Sequence, residues 1–101
     1  RMIVIEGSAR ILEGAWETAE AAMETMIKAS REEAGCIEYA YSRDLIDPNI
    51  LRIIERWKVK AALVSHFAEP HMAVFRTALA AVGPQDLEVR MYEAEPEPLP
   101  L

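Results

Sequence analysis

The sequence predicts an α+β domain: one four-stranded antiparallel sheet with helices packed on one face. Three observations predict it. Two long segments repeat apolar residues at three- and four-residue spacing, the period of a helix with one buried face. Four shorter segments are β-branched or alternate in polarity, as strands do. Glycine and proline mark several of the joints. The resulting order is strand, helix, strand, strand, helix pair, strand, the ferredoxin-like βαββ(αα)β arrangement, with right-handed crossovers.

Met2 to Arg10 opens with a β-branched run that is apolar on both faces, as in a strand covered on both sides. Gly7 inside it marks a bulge or a close approach. Gly14 to Ala34 reads as a helix, with Trp16, Ala19, Met23, Met26 and Ile27 on one side and Glu17, Glu20, Glu24 and Lys28 largely on the other. Gly35 stands where a left-handed residue would end that helix. Cys36 to Asp44 alternates, which puts Ile37, Tyr39, Tyr41 and Arg43 on one face. A turn at Asp47-Pro48-Asn49 then leads into a strand over Leu51 to Lys58, forming a hairpin. Leu51, Ile53, Glu55 and Trp57 share one of its faces. Lys60 to Ala68 is a short helix with Leu63 and Phe67 at i,i+4. Pro70 suits the first turn of the next helix, which runs to Val82 with Met72, Phe75, Leu79 and Val82 inward. Gly83-Pro84 stops it, and Leu87 to Ala94 is the last strand. Residues 2–94 therefore form one domain, and the Pro- and Glu-rich segment 95–101 is an extended tail.

The 101 residues carry a net charge of −6, which disfavours nucleic acid and anionic membranes as partners. No apolar run is long enough to span a bilayer, and no signal-peptide pattern is visible. The single cysteine, Cys36, permits no intrachain disulfide and fits a cytoplasmic setting. The 51% apolar content is on the rich side for a small domain. With helices on one face only, the other sheet face is expected to carry apolar and aromatic side chains that a second copy of the chain would cover. A homodimer is the expectation.

Residue types suited to chemistry concentrate between Asn49 and Val82. Both histidines, His66 and His71, lie there, as does Trp57. The histidines are five apart and flank Pro70, and Cys36 lies on another strand, so no zinc spacing results and no metal is expected. No Gly-rich phosphate loop and no nucleophile elbow occur. Proton transfer by histidine is the reading with most content. His66 sits on the short helix and His71 in the first turn of the next, and a neutral histidine can act as a base.

The stretch EEAGCIEYAYSRD, the Asp47-Pro48 turn and LRIIERWKVKAALVSHFAEPHMAVF together resemble the antibiotic biosynthesis monooxygenase domain family. The shared pieces are the glycine before the second strand, the E-x-W strand end, the Ala-rich helix, and H-x-x-x-P-H followed by an aromatic. The resemblance implies a dimeric α+β barrel and a cofactor-free oxygenase acting on an electron-rich quinol, anthrone or polycyclic phenol. His66 and His71 would be candidate bases, and Trp57, Tyr39, Tyr41 and Phe75 substrate contacts in a pocket between sheet and helices. The family also holds haem-degrading members with an Asn, Trp and His set. Here His66 stands at the tryptophan position, Arg76 at the haem-ligand position, and Met2 to Arg10 holds no Asn, so haem degradation is disfavoured. The alternative reading is a dimeric small-molecule-binding domain without turnover.

Overall fold

The computed structural model describes residues 1–101. Strand β1 (Met2–Arg10) leads through a short 3₁₀ turn (Glu13–Ala15) into helix α1 (Trp16–Arg31). Strands β2 (Cys36–Arg43) and β3 (Ile50–Trp57) follow, then α2 (Lys60–Phe67), α3 (Pro70–Val82) and β4 (Gln85–Ala94). The sheet runs β2-β3-β1-β4, and every neighbouring pair is antiparallel. This is the expected ferredoxin-like α+β fold, with an open sheet and all helices on one face. No helix is long and apolar enough to cross a membrane.

The core lies between sheet and helices. Along β1, Ile3, Ile5 and Ala9 are buried on the helix side. Ile3 and Ile5 join Met23 and Met26 of α1, Trp57 of β3 and Leu63 of α2 in one apolar core. Gly7 is where β4 comes closest: a Cβ there would sit 2.7 Å from the Glu88 carbonyl oxygen.

Four expectations change. The first concerns the end of α1, which stops at Arg31 rather than Ala34. The Glu32 and Glu33 N–H groups reach back only three residues, to Ala29 O and Ser30 O at 3.2 and 3.1 Å, so the last turn tightens. Gly35 is not left-handed; that conformation belongs to Gly83 (φ 68°), whose N–H caps α3 on Leu79 O. Second, a bulge between Cys36 and Glu38 breaks the alternation of β2. Cys36 pairs with Trp57 and packs on the core, and Ile37 turns outward, 42% exposed. Third, α2 buries Leu63 and His66, three apart, and Phe67 is exposed.

The fourth change concerns the helix-free sheet face. It is mixed rather than apolar. Met2, Val4, Ile54 and Tyr92 share it with charged pairs: Arg56–Glu38 at 2.8 Å, Arg52–Asp44 at 3.0 Å and Arg90–Glu6 at 3.4 Å. The period-two pleat is the reason, because it sends Arg52 and Arg56 to the same side as Ile54. The uncovered apolar side chains line β4 instead. Val89 and Met91 lie opposite Gly7 and Ile5, on the helix-bearing face, yet they stay 52% and 47% exposed.

Candidate functional site

The site grows from one close approach. Gly35 has no side chain, and a Cβ there would collide with Ala62 of α2. The α2 backbone therefore settles directly over the chain between α1 and β2. Lys58 N–H fixes the same point by donating to Gly35 O at 2.9 Å. One helical turn after Ala62 comes His66, which points down onto the end of β3. Its ring packs 4.6 Å from Trp57 and 5.5 Å from Tyr39, centroid to centroid, and its side chain is 1% exposed.

In that position His66 meets Glu33. The His66 Nδ1 lies 2.7 Å from Glu33 Oε2, and His71 Nε2 lies 2.9 Å from the same oxygen. A carboxylate can only accept, so both imidazoles donate to it. The tautomers follow: His66 carries its proton on Nδ1 and His71 on Nε2, which leaves His71 Nδ1 as the nitrogen able to take a proton. Pro70 starts α3 and sets His71 in its first turn, facing back toward α1. Arg31 steadies the Glu33 segment by donating from Nε to Tyr39 O at 2.9 Å.

Behind the histidines is an aromatic and acidic layer. Trp57 is fully buried, and its Nε1 donates to Glu55 Oε1 at 3.0 Å. Burial pushes the Glu55 carboxyl above its usual value; the Trp57 hydrogen bond and the nearby His66 oppose that shift. The Tyr39 and Tyr41 hydroxyls share a hydrogen bond of 2.7 Å. Burial raises both phenols, so neither is a base near neutral pH. Burial also raises the Cys36 thiol, with Glu33 adding to the effect. A thiolate nucleophile is therefore disfavoured there.

The predicted site residues divide into three groups. His71 and Phe75 line an apolar groove of about 230 Å³ between α1 and α3, together with Met26 and Val74. Tyr41 lines a separate cleft of about 510 Å³ on the other side of α1, where Arg43 stacks on the Trp16 ring at 4.0 Å. Trp57, Tyr39 and His66 border neither and sit in the core. Glu33 was not among the sequence candidates. In the sequence it is one of two consecutive glutamates ending a helical run, and no spacing rule links it to residues 33 and 38 positions later.

Comparison with known proteins adds the following. The family model described as antibiotic biosynthesis monooxygenase matches residues 2–78. A crystal structure from Deinococcus radiodurans, described provisionally as an antibiotic biosynthesis monooxygenase, superposes with a TM-score of 0.89 at 25% identity, covering 98% of each chain. A Mycobacterium tuberculosis structure matches at TM-score 0.86 and 21% identity, over 96% of this chain and 98% of that one, and shows the shared fold alone. An uncharacterized Synechocystis protein is 31% identical over 91 residues, which are 90% of this chain. The match spans 62% of that relative's length.

Proposed function

The chain belongs to the antibiotic biosynthesis monooxygenase family, and from that premise we propose that it oxidises an electron-rich quinol, anthrone or polycyclic phenol with O₂ and no cofactor. One observation carries the reading. Glu33 clamps His71 at the wall of an apolar groove with its acceptor nitrogen left over for a substrate proton. Ground-state O₂ reacts slowly with closed-shell molecules, and a deprotonated quinol or anthrone is electron-rich enough to reduce it directly. The protein then has to take a proton, hold the substrate and exclude water.

The chemistry balances without a further reductant. His71 accepts a proton from the substrate, and Glu33 stabilises the imidazolium. The substrate anion passes one electron to O₂, and the resulting radicals join as a carbon-bound peroxide. The imidazolium returns its proton to the peroxide, and loss of water, taking the hydrogen on that carbon, breaks the O–O bond and leaves a new carbonyl. One oxygen atom stays in the product and the other leaves as water. His66 holds Glu33 from the opposite side, Phe75 packs against the substrate ring, and Trp57 and Tyr39 back the histidine. Tyr41, on its separate cleft, is assigned a second contact surface for a larger ring system.

Oxygen uptake with an anthrone or a hydroquinone tests the reading. Uptake well above the spontaneous rate is expected, and a rate equal to that background would overturn it. A second reading, a binding domain without turnover, draws support from the close packing around Trp57 and His66. Binding of the same compounds without oxygen uptake would favour it.

We also propose a homodimer. Ligand pockets are typically about 300–1,000 Å³, so the groove beside His71 is small for a polycyclic substrate, and a second chain would deepen it. The exposed Leu87, Val89 and Met91, on the helix-bearing face of β4, supply the apolar surface for such a contact. Sedimentation should give twice the mass of one chain; a monomer at micromolar concentration would remove the proposal. The free Cys36 supports a cytoplasmic location.

A further inference from the structure

We infer that Glu33, His66 and His71 form a binding site for one divalent transition-metal ion of the zinc, cobalt or nickel type. The three side chains each offer one ligand atom, and these atoms all lie within 4.8 Å of one another. Two imidazole nitrogens and one carboxylate oxygen are the donor set that borderline ions select, whereas magnesium and calcium prefer all-oxygen shells.

The geometry is close to that of a filled site. The shared oxygen, Glu33 Oε2, already stands 2.7 Å from one nitrogen and 2.9 Å from the other. Bonds of about 2.0–2.2 Å to a central ion place neighbouring tetrahedral ligands roughly 3.3–3.5 Å apart. These two contacts therefore open by roughly 0.4–0.8 Å, and the two ring nitrogens, which lie within 4.8 Å of each other, draw together onto the ion. The charge balance needs no new group: each imidazole moves its proton to its other ring nitrogen and turns a lone pair toward the ion. One carboxylate and two neutral imidazoles then face a dication, which leaves a fourth position for water or an added anion.

The ligands come from three separate elements: the turn after α1, helix α2 and the first turn of α3. Nothing in the linear spacing of the histidines suggests a site, because Glu33 arrives only through the fold. An entry path exists. Glu33 lines a surface cleft of about 370 Å³, with Ser65 and Glu69 along it, and the His71 side chain is 20% exposed. Glu69 adds negative charge that draws a cation in. An ion bound here joins three elements that are otherwise linked by hydrogen bonds. Binding also moves the His71 proton onto Nδ1, the nitrogen assigned above to accept the substrate proton, so the ion would inhibit that reaction rather than serve it. The binding site itself does not depend on the oxygenase reading.

The test uses the full, untagged chain after chelator treatment, titrated with Zn²⁺ and separately with Co²⁺. The expected result is one ion per chain, visible Co²⁺ absorption of a low-coordinate site, and a melting temperature raised on the order of 5–10 °C at tenfold excess over the dissociation constant. Mg²⁺ should give no shift. Glu33→Gln and His71→Ala should each weaken binding at least tenfold while keeping the metal-free circular dichroism spectrum. His71→Gln serves if His71→Ala does not fold. Absence of one-to-one binding below about 100 μM, or binding unchanged in the folded variants, overturns the site. Since no reading uses turnover, the result is independent of whether oxygen uptake is found.

Discussion

His71→Ala is expected to lower the rate of oxygen uptake by about 100-fold, the lower end of what a positioned base contributes. His71 is the appropriate residue for this test because its side chain is partly exposed at the start of α3, so its removal leaves the core intact. His66 is 1% exposed against Trp57, and its truncation would mix a rate effect with a folding effect. Glu33→Gln should cost about tenfold, because an amide still accepts a hydrogen bond but gives weaker support to an imidazolium. Stopped assays on both variants, with near-UV circular dichroism as the folding control, provide the measurement. A His71→Ala rate within twofold of the unaltered chain would remove histidine from the mechanism.

Trp57→Ala is expected to destabilise the fold by about 3–5 kcal/mol. The loss has two sources. Trp57 is fully buried where β3, α2 and β2 meet, and its removal leaves a cavity under His66 and Tyr39. It also takes away the N–H that donates to the buried Glu55 carboxylate. Glu55→Gln should act in the opposite direction, since the amide oxygen keeps that hydrogen bond without the buried charge. Its effect depends on pH. Burial holds the Glu55 carboxyl above its usual value, so the folded chain binds more protons than the unfolded one between those two values. Stability therefore falls as pH rises through that window, and above it the penalty is complete. The gain from Glu55→Gln should be largest above that window and fade as pH falls through it to the ordinary carboxyl value. Denaturant midpoints measure both variants. A Trp57→Ala loss below about 1 kcal/mol would contradict its place at the centre of the packing. A Glu55→Gln gain that does not change with pH would contradict the buried charge.

The strands and helices were readable because each rests on a local period. Ile3, Ile5 and Ala9 alternate on β1, and Met23 and Met26 recur along α1, so the buried face of each element is written in neighbouring residues. Where parity failed, one inserted residue was responsible. The bulge at Ile37 exchanges it with Cys36, and the alternating pattern of CIEYAYSR gives no sign of the extra residue. The error at Phe67 has a different origin. In a helix of only two turns, positions 66 and 67 are both plausible partners for Leu63, and docking against Trp57 selected the histidine.

The histidines were visible from the sequence, but their relationship was not. By itself the sequence determined the ferredoxin-like α+β fold and placed His66 and His71 beside the H-x-x-x-P-H turn. It also marked Trp57 as the end of a strand. Only the tertiary structure decided that Glu33 stands between the two histidines and that His71, not His66, borders an open groove. The physical reason is the contact of Gly35 with Ala62. That contact sets how closely α2 approaches the end of α1, and a distance between two elements far apart in the chain has no period along it.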